Sequence, residues 1–169
     1  MQVRRLSSAD SEVYLHLRLA ALVESPTSFG SSYEEEKDRT QEQVGDFLSK
    51  SAERVLLGAF SGGALVGMVG VGREEGVKEK HRGFIRSMYV SPAYRARDVG
   101  KLLLEQAMIV ASAWAGLEQL TLSVTGGNER AIGLYARAGF EECGRAPRAL
   151  LVGGIYYDEI QMVWHKSVA

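Results

Sequence analysis

The period of the apolar positions switches several times along the chain of 169 residues, and each switch marks an element. Gln2–Leu6 predicts a short strand, and the stretch from about Asp10 to Val23 a helix whose Val13, Leu17, Ala20 and Ala21 share one face. Glu24–Gly30, broken by Pro26 and Gly30, reads as loop. Thr40 with Gln43 three residues later is a capping-box pattern that opens a short helix presenting Val44, Phe47 and Leu48. The apolar runs Val55–Phe60 and Ala64–Val71, joined through Ser61-Gly62-Gly63, predict a hairpin.

Phe84–Val90 is a further strand, stopped by Ser91-Pro92. Val99–Trp114 then reads as a helix with Leu103, Ala107, Val110, Ala111 and Trp114 as its apolar stripe, followed by a strand over Gln119–Val124. Strand, helix, strand in that order imply a parallel pair in the middle of the sheet. A second helix spans about Asn128 to Ala138, with Gly139 placed as its left-handed C-cap. Phe140–Arg145 and Ile155–His165 close the chain as antiparallel strands joined through Gly153-Gly154. The pattern describes one α/β domain over residues 1–169: a mixed, mostly antiparallel twisted sheet of about seven strands with flanking helices and a central parallel pair.

Composition narrows the function. Hydrophobic residues make up 46% and charged residues 24%, an ordinary globular mixture. Lys and Arg number 20 against 21 Asp and Glu, so the basic surplus that nucleic-acid binding requires is absent. No apolar run approaches the roughly 20 residues that span a bilayer, and no signal-peptide core follows Met1. The expectation is a cytoplasmic protein with no membrane partner. Cys143 is the single cysteine, so an internal disulfide is excluded; it lies in a strand-like run, where a free cysteine packs as a small apolar residue. His16, His81 and His165 have no metal-ligand spacing, and no metal site is expected.

The chemistry concentrates in Met88-Tyr89-Val90-Ser91-Pro92-Ala93-Tyr94-Arg95-Ala96-Arg97-Asp98-Val99-Gly100-Lys101. A strand stops, a basic loop follows, and a helix begins. The first amides of a helix lack internal partners and sit at the positive end of its dipole, so they form an anion site. Arg95, Arg97 and Lys101 beside those amides suit a pyrophosphate, and Gly100 in the first turn admits it close to the backbone. The segment resembles the acetyl-CoA-binding motif of the GNAT superfamily of N-acetyltransferases, Gln/Arg-x-x-Gly-x-Gly/Ala, with Arg95 first and Gly100 last. The resemblance implies acetyl-CoA as co-substrate. It lays the Met88, Tyr89 and Val90 main chain along the pantetheine arm and sets the amides of Arg95, Ala96, Arg97, Asp98, Val99, Gly100 and Lys101 around the diphosphate. The middle glycine of the motif is Asp98 here. An aspartate is a strong N-cap for a helix starting at Val99, and such a cap occupies amides that a phosphate would use. Weaker binding of the cofactor is the expected consequence.

Asn128-Glu129-Arg130-Ala131-Ile132-Gly133-Leu134-Tyr135-Ala136-Arg137-Ala138-Gly139-Phe140 resembles the family's second signature, Asn-x-x-Ala-x-x-Leu-Tyr-x-x-x-Gly-Phe. By itself the helix reads equally as an amphipathic element with a half-buried tyrosine. The resemblance implies that Asn128 and Ala131 touch the cofactor and that Tyr135 protonates the departing thiolate, a general-acid role.

The implied reaction is direct attack of a neutral amine on the thioester, with a tetrahedral oxyanion held by the Val90 amide and no covalent enzyme intermediate. Some relatives that acetylate ribosomal-protein N-termini carry a glutamate on the strand before the Asn helix; the matching position here is Ser123. Other carboxylates are Glu34, Glu35 and Glu36, between the first two helices, and Asp158 and Glu159 near the end. Glu34 is the expected proton acceptor. Phe29, Tyr33, Glu34, Tyr157 and Asp158 are the expected acceptor-binding residues, by resemblance to the acceptor loop and terminal strand of small-molecule enzymes of the family. The expected partner is a small-molecule primary amine. A protein N-terminal or lysine acetyltransferase and a non-catalytic acyl-CoA sensor are the alternatives. Dimers are frequent in the family, so the resemblance allows a homodimer.

Overall fold

The structure, a computed structural model, describes residues 1–166; positions 167–169 of the expected domain lie outside the described residues. Seven strands form one sheet in the order β1-β2-β3-β4-β5-β7-β6. They are β1 (Gln2–Arg5), β2 (Arg54–Ser61), β3 (Ala64–Arg73), β4 (Arg82–Val90), β5 (Gln119–Thr125), β6 (Glu141–Val152) and β7 (Ile155–His165). Every neighbouring pair is antiparallel except β4–β5, the parallel pair that the strand–helix–strand order required. Helices α1 (Ser11–Glu24), α2 (Tyr33–Glu36) and α3 (Gln41–Ser49) pack on one face with Leu56, Met68 and Tyr89. Helices α4 (Val99–Ser112) and α5 (Glu129–Arg137) cover the other, where Leu103, Leu104 and Ala107 meet Val69, Leu120 and Ile160.

Several expectations change in detail. The buried face of α1 is Tyr14, Leu17, Arg18, Ala21 and Leu22, whereas Val13 and Ala20 face solvent. Arg18 is buried because Glu36 meets it with two hydrogen bonds, of 2.7 and 3.1 Å, a partner that lies on a different helix. The stretch holding Glu34–Glu36 is a helical turn instead of loop, capped by Ser32 and Glu35 bonding each other's backbone. Phe47 lies at the margin of the α3 contact, 6.3 Å from the Tyr14 ring. Helix α4 ends at Ser112, so Trp114 packs from just beyond its last turn. Strand β6 runs on to Val152, past two register shifts, so its hairpin with β7 is longer than the apolar pattern predicts. Cys143 is exposed on β6, not packed. Gly139 adopts φ 92°, and the amide of Phe140 closes the α5 end onto the Tyr135 carbonyl at 3.0 Å.

Candidate active site

Strands β4 and β5 pair only at Arg82–Phe84 against Gln119–Thr121. Both strands continue, β4 to Val90 and β5 to Thr125, so beyond Phe84 they part and leave an open wedge. Within β4 the register against β3 slips between Met68 and Gly70, and Ser87 takes φ 56°, the mark of a bulge. After the bulge, the Ser91 amide donates to the Val66 carbonyl at 2.9 Å. By the alternation of an antiparallel ladder, the main-chain groups of Val90 face away from β3 and into the wedge.

At the wide end of the wedge lies the start of α4. None of the six amides from Ala96 to Lys101 has a hydrogen-bond partner among the described residues. Ala96 and Asp98 both have φ 58°, and alternating left-handed residues curl successive amides toward one side, the geometry of an anion nest. Each costs on the order of 1 kcal/mol for a residue with a Cβ. The expected cap is corrected here: Asp98 is left-handed (ψ 9°), and its carboxylate takes no hydrogen bond from the helix. A capping side chain reaches the second and third amides from an extended backbone, which Asp98 does not have. Its carboxylate leaves the amides free. At Gly100 an added Cβ would come 3.4 Å from Leu134 and 3.8 Å from Met88, so the absent side chain keeps the cleft open between α4, α5 and β4.

The wedge and the amide nest share one cleft of about 1200 Å³. Met88, Tyr89, Val90, Arg95, Ala96, Asp98, Val99, Gly100, Lys101, Asn128 and Ala131 line it; Arg97 does not, its guanidinium lying 5.6 Å from the Tyr94 ring. Arg95 lines the wall, but its guanidinium is not available to a phosphate. Its Nε donates to the Val90 carbonyl at 2.9 Å, and its terminal nitrogens donate to both oxygens of Glu24 at 3.0 and 2.6 Å. Arg130 and Arg137, seven residues apart on α5, line the cleft without having been singled out in the sequence, as do Ser25 and Ser28. The spacing of the two arginines, two helical turns, was the available signal.

Helix α5 holds the other two signature residues in different settings. The Asn128 Oδ1 caps the helix, accepting from the Ala131 amide at 3.2 Å, which leaves its amide nitrogen to the cleft. Tyr135 is buried rather than half-buried, and does not itself line the cleft. Burial pushes its phenol up to about 12. Its hydroxyl makes no hydrogen bond among the described residues.

The acceptor-side expectations divide. Phe29 is buried against Tyr89, ring centroids 6.3 Å apart. Tyr33 is exposed, and Glu34 projects into solvent with its side chain 73% exposed and paired to Lys37. Glu34, expected as the proton acceptor, is not among the residues that line the cleft. The buried acid of this turn is Glu36: burial pulls its carboxyl upward, but the hydrogen bonds from Arg18 outweigh that and hold it below the ordinary range. Asp158 is likewise spoken for, accepting from the Arg148 amide at 2.9 Å and facing Arg145 at 3.7 Å. Tyr157 is half-buried outside the cleft wall. Glu159 differs from these. It is half-buried, stands opposite Thr125 across the β5–β7 ladder, and has no hydrogen bond or ion pair among the described residues. Ile160 and Met162 point to the α4 side, so alternation sets Glu159 on the opposite face, which it shares with Ser123 and Thr125. Among the described residues, no cluster of His, Cys, Asp and Glu could hold a metal, and no helix is long and apolar enough to cross a membrane.

The nest of free amides and the free edge of β4 thus open on one cleft. The chain matches the acetyltransferase (GNAT) family over residues 19–140 and belongs to that family, whose enzymes draw on acetyl-CoA. It is 33% identical over 98 residues to the N-alpha-acetyltransferase RimI of Mycobacterium tuberculosis, covering 58% of this chain and 59% of that protein. The chain spans 24% to 59% of the length of the curated relatives it matches. An acetyltransferase of the GNAT family from Streptococcus pneumoniae superimposes with a TM-score of 0.86 at 25% identity, covering 98% of this chain and 99% of that one. The yncA protein of Salmonella typhimurium, a putative acetyltransferase solved with its cofactor acetyl-CoA, superimposes with a TM-score of 0.85 over 100% of this chain and 96% of its own, at 17% identity.

Proposed function

We propose that the protein transfers an acetyl group from acetyl-CoA to a primary amine of a small, cationic acceptor. The observation that carries this reading is the continuity of the six free amides of Ala96–Lys101 with the unpaired edge of β4 in one cleft. In this reading the diphosphate rests on the amides, with Lys101, Arg130 and Arg137 neutralising phosphate charge. The pantetheine arm extends along Met88–Val90 as a surrogate strand, and Asn128 and Ala131 hold it from α5.

The acceptor amine, once neutral, attacks the thioester carbon. The carbonyl pair moves onto oxygen, where the Val90 amide donates to the oxyanion; the attacking nitrogen then loses a proton to solvent, and the pair returns as the carbon–sulfur bond breaks. Tyr135 stays protonated throughout. With its phenol near 12 and an alkyl thiol near 8.5, complete proton transfer runs uphill by roughly 5 kcal/mol. Tyr135 therefore acts chiefly by donating a hydrogen bond to the departing sulfur, and solvent completes the protonation. Glu159 replaces Glu34 as the residue that receives the ammonium proton. It is the partner-free carboxylate one strand behind the wedge, within a strand spacing of Thr125.

Acetylation of a protein N-terminus is a second reading, favoured by the similarity to RimI. Ser123 on β5 weighs against it, because it cannot take up a proton as the glutamate of such relatives does. A homodimer is the family-based expectation. The test is thiol release from acetyl-CoA over small amines, polyamines, amino acids and peptides. Release with small amines alone supports the first reading, and release with peptides alone replaces it. Acetyl-CoA binding with silence across all acceptors overturns both in favour of a sensor.

A further inference from the structure

The last pair that joins β4 to β5 is Phe84 with Thr121, and the next side chain of β4 on the same face is Arg86. Ile85 and Leu120 pack with α4, so alternation sets Phe84, Arg86, Thr121 and Ser123 on the opposite face of the sheet. Counted on from that last pair, Arg86 stands level with Ser123 across the narrow end of the wedge, and Ser123 pairs in turn with Gln161 of β7. Arg86, Ser123 and Gln161 are all exposed, so α1, α2 and α3 leave this part of the sheet bare. The wedge therefore opens on both faces: onto the amide nest on the α4 side, and onto this polar row on the other.

Arg86 is a cation without a partner. Its guanidinium lies 3.7 Å from the centroid of the Phe84 ring, and it makes no hydrogen bond or ion pair among the described residues. A guanidinium that close to a ring centroid rests on the ring and keeps its N–H edge free. Arg54, 5.8 Å from the same ring, is taken by Glu75 at 3.1 Å. Partial burial, and after it the charge of Arg54, pull the Arg86 guanidinium below its ordinary value, with Glu74 opposing. A planar cation with an open fork, short of water and beside a like charge, is a receptor for a carboxylate.

We propose that Arg86 binds a carboxylate of the acceptor, whose reacting amine lies at the other end of the same molecule, toward Glu159. The proposal rests on the acetyl-transfer reading above and names its acceptor class: an aliphatic amino acid that reacts through an amine several bonds from its carboxylate. Glu159 stands two strands over from Arg86 and two residues further on, so their Cα atoms are roughly 12 Å apart. An α-amine, separated from its own carboxylate by a single carbon, does not bridge the space between the two side chains. A diamino acid bridges it through its terminal amine and still carries a net positive charge. Arg86 acts on specificity alone, because it holds the acceptor away from the reacting atoms.

Acceptor kinetics test it, with acetyl-CoA titrated by calorimetry beside them. Lysine and ornithine are compared with cadaverine and putrescine, the same chains lacking the carboxylate, in wild type, Arg86→Gln and Arg86→Lys. In wild type the amino acids should exceed the diamines about 30-fold in kcat/KM. Arg86→Gln should remove that advantage, chiefly through KM, and leave the diamines unchanged, while Arg86→Lys, which keeps the charge without the fork, should fall between. Equal use of both classes by wild type, or an equal loss on both in Arg86→Gln, overturns the carboxylate site and leaves acetyl transfer standing. Acetyl-CoA binding without turnover of either class overturns the acceptor assignment. Absence of acetyl-CoA binding in wild type overturns the donor site and this inference with it.

Discussion

The ring of Tyr135 stands edge-on to Phe140, with centroids 6.0 Å apart and planes at 63°. That packing involves ring carbon and not the hydroxyl, so Tyr135→Phe should fold as wild type does. Turnover should fall by about 10² to 10³, with acetyl-CoA affinity little changed, because the hydroxyl acts on the departing sulfur. Steady-state kinetics beside calorimetric titration checks the split.

The same phenol leaves a mark on alkaline stability. Burial alone raises it to about 12, so the folded state keeps its proton longer than the unfolded chain. Its stabilising contribution is complete below pH 10 and is lost as pH rises toward 12, by roughly 3 kcal/mol. Denaturant titrations between pH 9 and about 11.5 should show wild type losing stability faster than Tyr135→Phe.

Asp10 gives the opposite dependence at acid pH. Two hydrogen bonds from Arg4, with those from Ser7, hold its carboxyl down at about 2 against the burial that opposes them. A depressed carboxyl stabilises above the unfolded value and loses that contribution as pH falls from about 4 to 2. Asp10→Asn should lower stability at pH 7 by roughly 1 to 2 kcal/mol after solvent screening and flatten the acid limb, as read from urea melts.

Asp98→Gly tests the charge in the amide nest. The left-handed backbone at φ 58° suits glycine, so the fold is kept, and a carboxylate is removed from the anion's side. Acetyl-CoA should bind about three- to tenfold more tightly at low ionic strength, the advantage shrinking as salt screens it. Equal affinities across salt concentrations would show that the carboxylate turns outward to water.

Glu159→Gln should lower turnover with a cationic small amine about 100-fold at neutral pH, and the loss should shrink as pH rises and free amine accumulates. Glu34→Gln, altering a solvated residue paired to Lys37, should match wild type at every pH. A reversed ranking would return the proton to the α2 turn.

How far the sequence reached depends on how local each determinant is. The central parallel pair, the two long helices and the Gly139 cap follow from periods and breakers within a dozen residues, and the structure holds each of them. Most residues of the two signatures, though not Arg97 or Tyr135, line one cleft because motif spacing encodes strand–turn–helix geometry. What sequence could not supply was partnership across the chain. Arg95 reads as a phosphate ligand until Glu24 is seen to hold it, and the burial of Arg18 rests on Glu36, eighteen positions away. A single position separates the solvated Glu34 from Glu35, which caps its own turn, and Glu35 from the buried Glu36; a run of three glutamates offers no way to rank them.

The three residue pairs that join β4 to β5 make the sheet two unequal leaves held along a short spine. Strands β1 to β4 form one leaf and β5 to β7 the other, and away from the spine the packed helices and the Thr125-to-Thr27 hydrogen bond tie them. In the proposed reading, a molecule held in the cleft along β4 becomes a structural member as well as a reactant. At a hundredfold excess over its dissociation constant it adds about 2.7 kcal/mol to the folded state. In that reading, stability rises with the concentration of acyl carrier.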